Sequence, residues 1–124
     1  MDIVHTAIDV SDLEETKSFY IDVLGLEHSW DFVLNGVQNF YVKGEGPGEI
    51  QFRYDPDREE PIEPAGIDHI AITVDDVDAV VEHVSEESGL PVQMEPTDVP
   101  DANARVSFVG APDGYTLELF EPWD

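Results

Sequence analysis

The sequence predicts an α+β protein built from two tandem βαβββ modules, and three observations carry that prediction. The first is an internal repeat. At an offset of 64 residues HTAIDVSDLEETKSFYIDVLGL (5–26) overlays HIAITVDDVDAVVEHVSEESGL (69–90), with His5/His69, Ala7/Ala71, Ile8/Ile72, Val10/Val74, Asp12/Asp76, Gly25/Gly89 and Leu26/Leu90 identical. After three extra residues the offset becomes 67, and FYVKGEGPGEIQF (40–52) falls on SFVGAPDGYTLEL (107–119). That places Ile50 on Leu117, Gln51 on Glu118 and Phe52 on Leu119. The second observation is that each half passes from alternation to a helical period and back to short alternations. The third is the proline- and acid-rich segment DPDREEPIEPAG (55–66) between them. The expected organisation is module 1 over 1–54, a linker over 55–66 and module 2 over 67–124. The two form one structural domain or a pair exchanged across a dimer.

The elements follow in order. Val4, Thr6, Ile8 and Val10 alternate with Ile3, His5, Ala7 and Asp9, which reads as a first strand. Ser11 and Glu14 make an S-x-x-E capping box for a helix with Leu13, Thr16, Tyr20, Val23 and Leu24 on its buried stripe, stopped by Gly25. Strands are expected near 28–34, 37–43 and 49–54, with Asn35-Gly36 as a tight turn. In the second half Asp75 or Asp76 caps a helix whose stripe is Val77, Val80, Val81 and Val84, and Gly89 ends it. Strands near 91–95, 104–109 and 115–121 follow, with a turn at Pro112-Asp113-Gly114.

Composition bounds the chemistry. Hydrophobic residues are 41% of 124, enough for a core, and there is no cysteine. A disulfide scaffold, a cysteine-ligated metal site and a thiol nucleophile are therefore excluded. The opening MDIVHTAIDV has neither the basic region nor the long apolar core of a secretory leader, and no stretch approaches the length of a membrane span. A soluble, cytoplasmic protein is expected. Five basic residues against 29 acidic ones give a net charge of −24. Such a surface cannot track a phosphate backbone, so no nucleic-acid partner is expected. The acids run from Asp2 to Asp124 without forming one tail. This dispersal favours adaptation to high salt over a docking face for a cationic partner or a mimic of nucleic acid.

The helix of each module should cover the aliphatic face of its sheet. Val4, Ile8, Val10, Ile50 and Phe52 mark that face in module 1, and Ile70, Ile72, Val74, Leu117 and Leu119 in module 2. The two-residue period then sends His5, Gln51, His69 and Glu118 to the opposite face. A single histidine on a strand is most often a hydrogen-bonded structural residue. Two at equivalent repeat positions, joined by an equivalent Gln/Glu pair, point instead to metal ligation. A merely solvated face remains the alternative for the alternations Gln51/Arg53 and Thr116/Glu118. His28 and His83 have no repeat partner and stay outside the set.

With those four residues in place, the chain resembles the vicinal oxygen chelate superfamily over essentially its full length. HTAIDVSDLEETKSFYIDVLGLE, GIDHIAITVDDVDA and FVGAPDGYTLELFE are similar to glyoxalase I (lactoylglutathione lyase) of the short bacterial type. The resemblance implies a curved mixed-sheet cup and one divalent metal ion per site, held by His5, Gln51, His69 and Glu118. Nickel or cobalt is favoured, with zinc or manganese as further candidates. It implies a small-molecule substrate, the hemithioacetal of a 2-oxoaldehyde and a thiol, isomerised through an enediolate with Glu118 as general base. It also implies a homodimer with two sites, each taking His5 and Gln51 from one chain and His69 and Glu118 from the other. The sequence departs from the glutathione-binding pattern at Asp9 and Asp55, where an arginine and an asparagine are expected. That leaves Arg53 and Lys43 as cations for an anionic substrate. Gln51 stands where short glyoxalase I enzymes usually have glutamate and resembles the acyl-CoA epimerase type there. The alternatives are such an epimerase, an extradiol-type dioxygenase holding Fe2+ on His5, His69 and Glu118, and a metal-free binding protein of the bleomycin-resistance kind.

Overall fold

Asp12 and Asp76 occupy equivalent places in the repeat and start the two helices in the same way. Both lie in extended backbone, and their side chains accept from Glu15 N at 3.0 Å and Ala79 N at 3.1 Å. Their own carbonyls accept the first helical bonds, from Thr16 N and Val80 N. The expected cap at Ser11 is therefore corrected to Asp12. Asp12 stands directly before Leu13, so the helix begins with that buried residue as its first turn faces the sheet.

In the computed structural model, which describes residues 1–124, the chain divides into two compact units, Met1–Glu63 and Pro64–Asp124. Unit 1 contains β1 (His5–Asp9), α1 (Leu13–Lys17), β2 (Glu27–Leu34), β3 (Val37–Lys43) and β4 (Glu49–Tyr54), in the sheet order β1-β4-β3-β2. Unit 2 contains β5 (Ile70–Thr73), α2 (Val77–Ser88), β6 (Val92–Val99), β7 (Ala104–Gly110) and β8 (Thr116–Pro122), in the order β5-β8-β7-β6. The first strand of each unit pairs in parallel with its last, and the other ladders are antiparallel. The chain is thus α+β with two βαβββ sheets, and the repeat extends to individual pairs. Ala7 faces Gln51 as Ala71 faces Glu118, and Tyr41 faces Gln51 as Phe108 faces Glu118.

The aliphatic faces form the cores. Ile8, Val10, Ile50 and Phe52 are buried in unit 1, as are Leu117 and Leu119 with Val77, Val81 and Val84 in unit 2. Val4 departs from expectation: the strand begins only at His5, and Val4 is 61% exposed. β6 runs on to Val99 rather than stopping near 95, because Pro96 lies beside a register shift on an edge strand that needs no second ladder. The first helix differs as well. After Lys17 it widens into a π-helical turn over Ser18–Val23, with Leu24 N donating to Phe19 O. The wider turn brings the neighbours Phe19 and Tyr20 both into the core, where Tyr20 packs on Phe52 with ring centroids 4.7 Å apart. α2 stays regular up to Gly89, whose φ of 69° closes it. At the β2–β3 turn Asn35 and Gly36 adopt φ of 52° and 81°, the left-handed pair that a two-residue hairpin requires.

Candidate functional site

Leu117 and Leu119 are buried on either side of Glu118 along β8, so the pleat directs Glu118 to the helix-free face of its sheet. His69 sits just before β5, one residue short of the ladder. Its Nδ1 is 2.7 Å from Asp68 Oδ2 and its Nε2 is 3.3 Å from Glu118 Oε1. Asp68 only accepts, so Nδ1 carries a hydrogen and donates it, and Nε2 is the atom turned to Glu118. The Glu118 side chain is 16% exposed and the His69 ring 33%. Phe108 supports the histidine edge to face, with centroids 5.2 Å apart. A hollow of about 320 Å3, lined by Asp68, Gln93, Met94, Phe108 and Thr116, opens beside this pair.

Unit 1 repeats the placement with different chemistry. His5 opens β1 and Gln51 lies on the adjacent β4, two residues further along the register and on the same face. Tyr41 supports His5 edge to face at 5.3 Å, as Phe108 supports His69. Trp30 stacks on the other side of Tyr41 at 4.4 Å and on Phe32 at 5.2 Å. Burial, and then the Glu49 carboxylate, push the Tyr41 hydroxyl above the usual phenol range, so it remains a neutral donor. Glu49 in turn accepts from the Ser29 hydroxyl. Gln51 is buried, and its Nε2 donates to Asn39 Oδ1 at 2.8 Å, leaving Oε1 as the atom it can offer a ligand.

Neither unit by itself gathers three or more His, Asp or Glu side chains in an arrangement that could hold a metal ion. Each contributes a pair, His5 with Gln51 and His69 with Glu118. Each pair on its own offers atoms that divalent cations accept, an imidazole with an amide oxygen in unit 1 and an imidazole with a carboxylate in unit 2, with His69 backed by a carboxylate as metal-binding histidines commonly are. Arg53 is engaged in an exposed ion pair. Its Nη1 donates to Asp9 Oδ1 at 2.8 Å across the β1–β4 ladder, and Arg58 approaches the same carboxylate at 3.6 Å. His28 lies on the helix-covered side, its ring 4.8 Å from Phe40 and its Nε2 2.6 Å from Asp31. His83 sits on α2. Sequence reasoning missed Asn39 and Asp68. Asp68 had a signal, since it directly precedes His69, whereas Asn39, next to the equally polar Gln38, carried none.

A sequence model of the Glyoxalase/Bleomycin resistance protein/Dioxygenase superfamily matches residues 2–119. The chain belongs to that superfamily. Among its members, a lactoylglutathione lyase of Haemophilus influenzae is 34% identical, the match covering 98% of this chain and 93% of the relative. A probable lactoylglutathione lyase of Synechocystis is 29% identical, with 98% and 95% covered. Glyoxalase I from Zea mays superposes with a TM-score of 0.84 at 25% identity, over 98% of this chain and 45% of the maize chain. This superfamily member therefore spans less than half the length of the maize protein. The superfamily fold also serves proteins of another kind. TnmS3, an antibiotic-binding protein from Streptomyces, shares it with a TM-score of 0.78 at 24% identity, a likeness of fold alone. No helix of this chain is long and apolar enough to cross a membrane.

Proposed function

We propose that this chain is a metal-dependent lyase of the glyoxalase I type, isomerising the hemithioacetal of a 2-oxoaldehyde and a low-molecular-weight thiol. The observation that carries the reading is the 3.3 Å approach of His69 Nε2 to Glu118 Oε1. With Nδ1 donating to Asp68, two lone-pair-bearing atoms converge, and a cation or a proton is what such a pair requires. His5 and the Gln51 Oε1 supply the remaining donors of a set suited to nickel or cobalt, with zinc and manganese behind them. A divalent cation held there supplies Lewis-acid polarisation of the substrate oxygens. The same reading makes the working unit a homodimer, with His5 and Gln51 of one chain joining His69 and Glu118 of the other.

The proton work falls to Glu118, the only carboxylate of the four. It takes the hydrogen from the carbon that bears sulfur and returns it to the neighbouring carbonyl carbon, while the hydroxyl proton moves to the second oxygen. A thioester and a secondary alcohol result, with no net gain or loss of atoms or electrons. The buried leucines beside Glu118 hold its backbone still, and the Phe108 ring screens His69 from water on one side. Lactoylglutathione lyase names among relatives of full length support the reaction class.

The test is metal analysis of protein purified without added metal, followed by methylglyoxal turnover with a panel of thiols. About one divalent ion per chain and thiol-dependent loss of hemithioacetal are expected. Protein that takes up neither nickel nor cobalt and stays inactive with both would falsify the reading. Oxygen uptake with Fe2+ would move the chain to the dioxygenases instead.

A further inference from the structure

Gln51 and Glu118 are equivalent in the repeat, yet one is an amide and the other a carboxylate. The residue that accompanies this difference stands on the neighbouring strand, two positions before the aromatic that supports the histidine. It is Asn39 in β3 and Val106 in β7, again 67 residues apart. We infer that Asn39 is a positioning residue that fixes Gln51 as a neutral oxygen donor, with its nitrogen turned into the sheet and its Oε1 presented outward.

The hydrogen bonds leave no other orientation. Asn39 Nδ2 is 3.1 Å from the Val37 carbonyl oxygen, and a carbonyl only accepts, so the nitrogen of Asn39 is committed there. Its Oδ1 must then be the atom facing Gln51, and it accepts from Nε2 at 2.8 Å. Turning the Gln51 amide over would set two oxygens against each other at a place where Asn39 is 5% exposed and Gln51 8%. An acceptor pair buried without a donor is costly. A glutamate at position 51 meets the same obstacle. It offers Asn39 Oδ1 no hydrogen, and if Asn39 turned over to donate, its oxygen would face the Val37 carbonyl. Asn39 thus selects an amide over a carboxylate and thereby sets the charge of the donor set. Unit 2 shows the converse pairing: Val106, buried and 3% exposed, makes no such demand, and Glu118 is turned to His69 instead.

The consequence for a bound cation rests on the function proposed above, whereas the orientation of the amide does not. The variants Asn39→Val, Gln51→Glu, their combination, and Asn39→Asp decide both. Thermal unfolding of the metal-free protein reads the orientation. Each of the first two single changes is expected to lower the melting temperature by about 4 °C or more, and the combination, which transplants the unit 2 pair, to recover part of the loss. Losses that simply add would overturn the inference. Calorimetric titration with Co2+ reads the consequence. Asn39→Val should weaken cobalt binding by about 10-fold or more. Asn39→Asp keeps an acceptor for Gln51 Nε2 while losing the bond to Val37, so it should be less stable yet bind cobalt at least as tightly as wild type. Equal weakening by Asn39→Asp and Asn39→Val would reduce Asn39 to a structural residue. If wild-type protein binds no cobalt, the proposed function fails, and the unfolding series still decides the role of Asn39.

Discussion

Two sheets of the same strand order carry different side-chain chemistry in this chain. In unit 1 the helix-free face carries an exposed His5 against a stack of Tyr41, Trp30 and Phe32, beside an amide held by another amide. In unit 2 the equivalent face carries His69 between two carboxylates, with a hollow alongside. The repeat places the donors, and a few neighbouring side chains decide what each can do. A neutral, aromatic-walled half suits holding, and the half with a carboxylate suits moving a proton. The residue behind each histidine shows the same division: Asp68 before His69 has Val4 as its repeat counterpart before His5.

The comparison can be broken most sharply at Glu118. Glu118→Gln gives both halves an amide, and turnover should fall by about 10²–10⁴-fold with the fold retained by circular dichroism. Near-normal activity of that variant would place the base elsewhere. A smaller effect is expected from Asp68→Val, which copies the Val4 environment onto His69. Loss of the carboxylate behind the ring should weaken metal binding by about 10–100-fold, measured by competition with a chelator. Unchanged affinity would mean that Asp68, whose side chain is 95% exposed, is only a surface partner.

Charge bears on both halves together. With −24 per chain, self-association at low ionic strength works against repulsion that salt screens within about 10 Å at 0.1 M. Dimer fraction and activity should therefore rise together between low and molar KCl, followed by sedimentation and by assay of the same samples. An active monomer, or a dimer indifferent to salt, contradicts the proposed assembly. The smallest effects belong to the helix starts. Asp12→Ala and Asp76→Ala should each cost about 1 kcal/mol in chemical unfolding, because the two caps are alike. A clear inequality would show that the π-helical turn makes the first helix unlike the second in stability as well as in shape.

The repeat and its two-residue period made the βαβββ succession of elements and the faces legible, because both follow from which positions must be apolar. The cap at Asp12 was harder to read, since Ser11 and Asp12 are both good caps and the choice depends on where Leu13 must point. The π-helical turn has no period of its own in six residues, and only the adjacent aromatics Phe19 and Tyr20 hint that a regular stripe cannot bury both. The helix-free faces, with His5 and Gln51 on one sheet and His69 and Glu118 at the other, could be read from alternation alone. Asn39 could not, because its role lies in a hydrogen bond to the Val37 carbonyl that fixes its orientation. Nor could the pairing of Arg53 with Asp9, which depends on the parallel register of β1 and β4.

Every ladder in this chain closes within its own unit, since β1 ends beside β4 and β5 beside β8. A break between Glu63 and Pro64 consequently severs a peptide bond and no strand pairing. Cutting there leaves each half with its own complete sheet and its own pair, His5 with Gln51 or His69 with Glu118.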